Sequence, residues 1–515
     1  MLVKVFSASV QGMQTIPVTI EVNSSRGVRF VMVGLPDNAV KESHERIMAA
    51  LENSGYNMPT QQITINLAPA DIRKEGSAFD LPMAIGIMAT QQKVDAEALG
   101  RFMMVGELSL DGSIVPVRGA LPIAIQARKM GYEGLFVPEK NVREAAVVNN
   151  LKVFGVSHIS QVVNHINGHS LMEPTILDTR ADFYARQTNF ELDYADVKGQ
   201  ELAKRALEIA AAGGHNLIMI GPPGSGKSML AKRLPSILPP LSLSESLETT
   251  QIHSIAGRLP SDVALIAQRP FRSPHHTNSQ VALVGGGSNP QPGEISLAHN
   301  GVHFCDELPE FQRSALEVLR QPLEDRAITI NRVKYSINYP CSFMFVASMN
   351  PCPCGYFGDP THNCLCTPGQ ISRYINRISG PLMDRLDLQI QINPLPFSSI
   401  SESKRGEPSA VIRERVIAAR KIQEERYRTH KHIHCNAQMT ERMIQQYAEP
   451  DAASLDMLRK AMERLSLSAR AYSRILKVAR TIADLEGCER VGLTHIAEAV
   501  GYRNLDRSDW AERRL

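Results

Sequence analysis

Leu217-Ile218-Met219-Ile220 runs straight into Gly221-Pro222-Pro223-Gly224-Ser225-Gly226-Lys227-Ser228, and Met229-Leu230-Ala231-Lys232-Arg233-Leu234 resumes a helical pattern beyond it. Apolar strand, glycine-rich turn and helix in that order predict a loop whose backbone N–H groups wrap a phosphate chain. Gly224 and Gly226 carry no Cβ to keep the backbone away from a ligand, and the helix N-terminus adds its positive dipole end. Lys227 is placed to meet β- and γ-phosphates, and Ser228 to ligate Mg²⁺. Gly221, Pro222, Pro223, Gly224, Ser225, Gly226, Lys227 and Ser228 are therefore the expected nucleotide loop. A bare glycine-rich turn would not need the strand before it and the helix after it.

Two more apolar runs end in polar groups downstream. Gly301-Val302-His303-Phe304-Cys305-Asp306-Glu307 reads as a buried strand that delivers two carboxylates to its C-terminal edge. Asp306 is the expected second Mg²⁺ holder and Glu307 the base that polarises an attacking water; a solvated acidic loop is the plainer alternative. Phe343 to Ala347 is a further strand, closing on Ser348-Met349-Asn350, where the amide of Asn350 can orient water against a γ-phosphate. Between them Glu324 to Tyr339 alternates like a hairpin and carries Arg326, Arg332 and Lys334, groups able to meet phosphates. Arg269, Arg272, His275 and His276 precede Gly285-Gly286-Gly287 and suggest a substrate- or nucleotide-sensing loop.

Around this centre the chain of 515 residues exceeds one core and predicts several domains. Residues 1–170 mix short β-rich runs (Val28 to Val33, Gln62 to Leu67), a helical pattern (Asn38 to Asn53) and turn signals such as Asp111-Gly112, giving an α/β domain. Residues 171–193 read as a linker. Residues 194–395 alternate strand and helix signals, which predicts a three-layer αβα arrangement; the helix from Gln200 stops at Gly213-Gly214. Residues 396–515 turn helical, most clearly over Val411 to Arg428 and Ala452 to Gly487.

Composition excludes disorder and a disulfide scaffold: 43% of residues are hydrophobic, 21% charged, and cysteines number only 8. A formal charge of +3 names no partner, so a nucleic-acid surface has to come from local clustering. No run approaches the ~18 apolar residues of a membrane helix, and Met1 to Gly12 lacks a secretory core, so a cytoplasmic protein without membrane contact is expected.

Four cysteines crowd together as Cys352-x-Cys354 and Cys364-x-Cys366, with His362 nearby. Four thiolates on two short loops can close around a structural Zn²⁺; reduced structural thiols are the alternative. The cluster lies between Asn350 and Arg373, Arg377 and Arg385, so a metal clip would fix the loop joining these groups.

Gly221 to Ser228, Asp306-Glu307 and Asn350 together resemble an AAA+ ATPase. DVKGQELAKRALEIAAAGGHN from Asp196, FRSPHHT from Phe271, NPCPCGYFGDP from Asn350 and RYINRISGPLMDRLDL from Arg373 are similar to the Mg-chelatase-like AAA+ proteins of the YifB/ComM type. The resemblance spans nearly the whole chain. It implies ATP and Mg²⁺ as cofactors, and a homo-hexameric ring in which a neighbour lends an arginine to the γ-phosphate. Arg385 is the candidate for that arginine, with a salt bridge to Asp384 or Asp387 as its structural alternative. Arg470 looks like the lid arginine that contacts nucleotide, and Arg474 lies on the same helix face.

Lys74 to Leu81 and Gly106 to Val117 resemble the Lon-protease-like fold (ribosomal S5 domain 2-like), a Ser/Lys hydrolase family. The nucleophile's position falls on Ala78 and the lysine's on Pro122, so a catalytically dead binding or assembly module is implied. ComM-type members are associated with a helicase driving branch migration during uptake and recombination of transforming DNA. The resemblance thus implies a motor on branched or single-stranded DNA. A chelatase-type motor that drives metal into a tetrapyrrole through partner proteins is the rival reading.

Overall fold

The computed structural model describes residues 1–503 except 288–289, 333–334, 360–361, 395–404, 431 and 466. Lys334 and the expected boundary near 395 lie outside the described residues, as does the side chain of Arg332.

The first sheet is built on a long hairpin, β1 (Leu2–Gln11) and β2 (Gln14–Ser25), antiparallel from Leu2 opposite Asn23 to Gln11 opposite Gln14. β3 (Phe30–Val33), β4 (Gln62–Ala68), β5 (Phe102–Met104), β8 (Gly134–Pro138) and β9 (Lys152–Val156) complete it in the order β3-β4-β2-β1-β5-β8-β9. A small hairpin, β6 (Glu107–Leu108) with β7 (Ile114–Val115), turns at Asp111-Gly112 as expected. The helix Asp80–Thr90 is buried along almost all its length against β1 and β2. Its Gly86 is needed there, since a Cβ would stand 2.6 Å from Val22 Cγ2. The helical pattern over Asn38 to Asn53 is two helices, Asn38–Lys41 and Ser43–Asn53.

The second sheet is wholly parallel: β10 (Leu217–Ile220), β11 (Phe271–Arg272), β14 (Val302–Cys305), β17 (Met344–Met349) and β18 (Leu388–Gln391), in the order β11-β14-β17-β10-β18. Side chains alternate between two cores, Leu217 and Met219 facing one and Ile218 and Ile220 the other. Both faces are therefore covered, as near-continuous apolar strands require. Two antiparallel ribbons interrupt the alternation, β12 (Gly285–Gly286) with β13 (Gln291–Pro292), and β15 (Ala327–Arg332) with β16 (Tyr335–Pro340).

The stretch read as linker contains a helix, Thr179–Arg186, capped by Asp178 and anchored by Phe183 in a small cluster with Leu241 and Leu265. Beyond residue 405, helices Ser409–Arg426, Glu441–Tyr447, Ala452–Leu465, Ala469–Leu485 and Leu493–Gly501 share a core with the helix Glu201–Gly213. The pattern over Ala452 to Gly487 is thus two helices, and Ser468 caps the second by accepting from Ala471 N. The buried Asp484 carboxylate holds this bundle together, meeting Arg426 at 2.5 Å and Arg480 at 3.0 Å. No described helix is long and apolar enough to cross a membrane.

Candidate active site

The glycine-rich loop leaves the carboxyl end of β10, where open α/β sheets place their ligands. Gly224 and Gly226 stand at φ of +75° and +90°, which side chains with a Cβ rarely adopt. Lys227 donates to Gly221 O at 2.7 Å and Pro222 O at 2.8 Å, so its ammonium is folded back under the loop. Burial pulls its pKa down, against the attraction of Asp306 and Glu307. The same ammonium lies 3.3 Å from Asn350 Oδ1, so the loop meets the residue that follows β17.

Asp306 follows β14 and accepts from Ser228 Oγ at 2.6 Å on one oxygen and from Ser348 Oγ on the other. This carboxylate with the adjoining Ser228 hydroxyl forms an all-oxygen donor set that suits a hard cation such as Mg²⁺. Glu307 occupies a left-handed backbone, φ +53°, and its N–H donates to Asp306 Oδ1 at 3.1 Å. Its carboxylate is half exposed and 3.5 Å from His276 Nδ1. His275 stacks on His276 with ring centroids 4.1 Å apart. The other members of the suspected sensing loop are engaged elsewhere: Arg272 forks onto Glu294 at 2.7 and 2.8 Å, and Arg269 pairs with Glu245 at 3.2 Å. Among the described residues of that segment, only the histidine end meets the carboxylate pair.

The arginine candidates lie elsewhere. Asp387 N–H donates to Asn216 O at 2.8 Å, and Asn216 Nδ2 donates to Arg385 O at 3.0 Å, so Arg385 sits at the amino end of β10 and β18. The nucleotide loop leaves the opposite end, a four-residue strand or ~13 Å away. Arg385 is only 8% exposed and its guanidinium is bound to Glu324, which replaces the Asp384 or Asp387 pairing considered from sequence. Asp384 instead pairs with Arg470 at 3.1 Å, and Asp387 with Arg474. Asp387 is buried; Arg474, His215 and the Asn216 N–H hold its pKa down in spite of the desolvation that raises it. Arg470, expected among the nucleotide-binding residues, cannot reach its own chain's loop from there. Its side chain is 68% exposed and points off this edge of the molecule.

Cys352, Cys354, Cys364 and Cys366 converge, all four sulfurs lying within 4.8 Å of one another. Sγ separations of 3.3 Å (Cys352 to Cys354), 3.6 Å (Cys354 to Cys364) and 3.7 Å (Cys352 to Cys364) are near the ~3.8 Å edge of a tetrahedron with 2.3 Å Zn–S bonds. Phe357 N–H donates to Cys352 Sγ at 3.3 Å, the kind of contact that stabilises a thiolate ligand. The donor set therefore fits Zn²⁺. His362 stacks on Tyr356 at 4.7 Å and lies 3.5 Å from Asp359. The loop rests on the nucleotide loop: a Cβ at Gly355 would stand 2.6 Å from Pro223 Cδ. A second grouping, Glu486, Cys488 and His495, is a helix staple, because His495 Nδ1 accepts from Gly492 N at 2.9 Å and Nε2 meets Glu486 at 3.0 Å.

In the first unit a cavity of about 500 Å³ is lined by Ser77, Ala78, Glu107, Arg118 and Gly119, and also by Gly286 of β12. Ser77 donates to Glu107, and no lysine is among the described residues that line the cavity. Ala78 supplies no nucleophile here, and Pro122, buried in the helix Ala120–Lys129, supplies no base.

Sequence reasoning did not find Ser348, Glu324, the His276 contact or the seat of Gly355 on Pro223. All four are pairings between segments distant in sequence, and only FRSPHHT drew notice to one of them.

Three family models and several relatives match the chain. A family model described as Magnesium chelatase, subunit ChlI, matches residues 193–400; Subunit ChlI of Mg-chelatase matches 20–141, and the ChlI C-terminal model matches 406–503. Competence protein ComM of Haemophilus influenzae is 44% identical over 508 residues, 98% of this chain and 97% of that one. Protein YifB of Salmonella typhimurium is 45% identical over 502 residues, 96% of each chain. A Lon protease of Aster yellows witches'-broom phytoplasma is 26% identical over 168 residues, 30% of this chain and 21% of that one. Identity of this extent, on a parallel sheet that brings Lys227, Asp306 and Asn350 to one edge, shows that the chain belongs to the YifB/ComM-type Mg-chelatase-like AAA+ proteins.

Proposed function

We propose that the protein is an ATP-hydrolysing ring motor that acts on branched or single-stranded DNA, as a helicase or branch-migration translocase in recombination or natural transformation. The observation that carries the hydrolytic part is the convergence of Lys227, Ser228, Asp306, Glu307 and Asn350 at one sheet edge. Lys227 exchanges its loop carbonyls for phosphate oxygens. Ser228 and Asp306 would hold Mg²⁺, which when bound would supply charge neutralisation for the phosphates. Asn350 orients the water, and Glu307 takes its proton once His276 lets the carboxylate turn inward. The DNA part rests on likeness to a protein named for competence.

A homo-hexamer supplies what one chain lacks. Arg385 and Arg470 stand a strand's length from their own nucleotide loop, so they serve a neighbour's γ-phosphate if they serve one at all. Four cysteines clip a structural Zn²⁺ against the loop that carries Pro223.

ATPase assays on the purified protein with no DNA, single-stranded, forked and Holliday-type DNA, at two salt concentrations, test the reading. The expected result is stimulation that is strongest on branched DNA and weakens with salt. A rate indifferent to every DNA, with no salt-sensitive binding, removes DNA as the substrate.

A further inference from the structure

Beneath the parallel sheet, at the amino ends of β10, β14 and β17, a cavity of about 90 Å³ opens between the sheet and the C-terminal helices. Three guanidiniums line it, from Arg269, Arg326 and Arg420, together with His434 and one carboxylate, Glu245. Arg269 takes that carboxylate at 3.2 Å and spends its remaining donors on Pro239 O, Pro240 O and Asn300 O. Arg326 and Arg420 have no ion-pair partner among the described residues. Arg326 gives one bond, to Ser342 Oγ at 3.0 Å, from a backbone at φ +54°. Arg420 gives its terminal nitrogens to Ala211 O at 3.2 Å and His434 O at 3.3 Å, while its Nε is buried without a hydrogen-bond partner.

Carbonyl oxygens satisfy donors but leave charge unbalanced. Two uncompensated guanidiniums from different elements facing one half-closed cavity repel each other, and a multiply charged oxyanion removes that cost while filling their forks. Burial lowers the pKa of Arg269; Glu245 opposes that shift and the nearby Arg420 adds to it. The cavity has room for a tetrahedral oxyanion.

We infer that this cavity is a phosphate-binding site, distinct from the nucleotide loop, in which Arg326 and Arg420 grip one phosphate group. The phosphate comes either from free inorganic phosphate or from a DNA backbone running past the β15–β16 hairpin. The site stands independently of the proposed function, because the first of these sources needs no DNA.

The test saturates the nucleotide loop with Mg²⁺ and a non-hydrolysable ATP analogue, then measures thermal unfolding in millimolar phosphate against chloride of equal ionic strength. Phosphate is expected to raise the melting temperature of the wild-type chain, with Arg326→Gln and Arg420→Gln each weakening its apparent affinity at least tenfold and Arg420→Lys retaining part of it. If Arg420→Gln unfolds in chloride alone, the partly exposed Arg326→Gln carries the test. No phosphate response in the wild type, or one unchanged in Arg326→Gln, overturns the site. A second arm takes the salt dependence of DNA binding: a log–log slope smaller by about one in Arg326→Gln assigns the phosphate to DNA. An unchanged slope beside a lost phosphate response assigns the free anion.

Discussion

Glu307 stands on a left-handed backbone that a residue with a Cβ adopts only when its surroundings impose it, here the bond from its own N–H to Asp306. That geometry separates two adjacent acids: Asp306 turns into the Ser228 and Ser348 hydroxyls, and Glu307 turns toward His276. Adjacent acids after an apolar run were enough to single out both positions, because strand periodicity decides which group reaches the edge. Ser348 and His276 could not be assigned the same way, since each role is a contact made by a different segment. If Glu307 is the base, Glu307→Gln should keep ATP binding, measured with a fluorescent analogue, and lower turnover by about 10²–10⁴-fold. Unchanged phosphate release would move the base to another residue.

Among the elements, most strands matched their periodicity, and the departures have local causes. The hairpin expected from Glu324 begins only at Ala327, because Glu324 and Asp325 close the helix Arg320–Asp325 and Arg326 caps it in a left-handed backbone. The helix Thr179–Arg186 hangs on one buried aromatic, Phe183, too little apolar signal to stand out in a polar stretch. The run from Ala452 keeps one amphipathic rhythm across a break that only the cap at Ser468 marks. The cysteine loop is the element with the most direct consequence, because Gly355 packs on Pro223 with no room for a side chain. If the four thiolates hold Zn²⁺, losing it releases a surface against which the nucleotide loop is braced. Cys364→Ser is expected to lower bound zinc from about one per chain to less than half, since three thiolates leave the tetrahedron open. ATP binding should weaken with it, while far-ultraviolet circular dichroism stays near wild type. Full zinc content in the variant would remove Cys364 as a ligand, and full nucleotide affinity after zinc is lost would show that the loop stands without the metal or braces nothing.

For the whole molecule, the decisive fact is which end of the parallel sheet each group occupies. Lys227, Asp306 and Asn350 lie at the carboxyl end, whereas Arg385, Arg470 and Arg474 lie at the amino end, tied to Asn216 and the start of β18. Sequence order hides this, because Arg385 follows Asn350 by the cysteine loop and two short helices, Pro368–Ile375 and Gly380–Met383, yet emerges on the other side of the sheet. Within one chain the two sets cannot meet. In the proposed ring, mixing tests which arginine is lent. A Lys227→Ala chain keeps its arginines and loses its own site; an Arg385→Ala chain keeps its site and lends nothing. Random equal mixing leaves about a quarter of head-to-tail interfaces complete, so roughly that share of wild-type turnover should return if Arg385 is the lent group. Arg385 is buried and bound to Glu324, while Arg470 is largely exposed. The same mixture made with Arg470→Ala separates them: recovery there, with the Arg385→Ala mixture dead, assigns the role to Arg470. Recovery in neither mixture removes both Arg385 and Arg470 as the lent group.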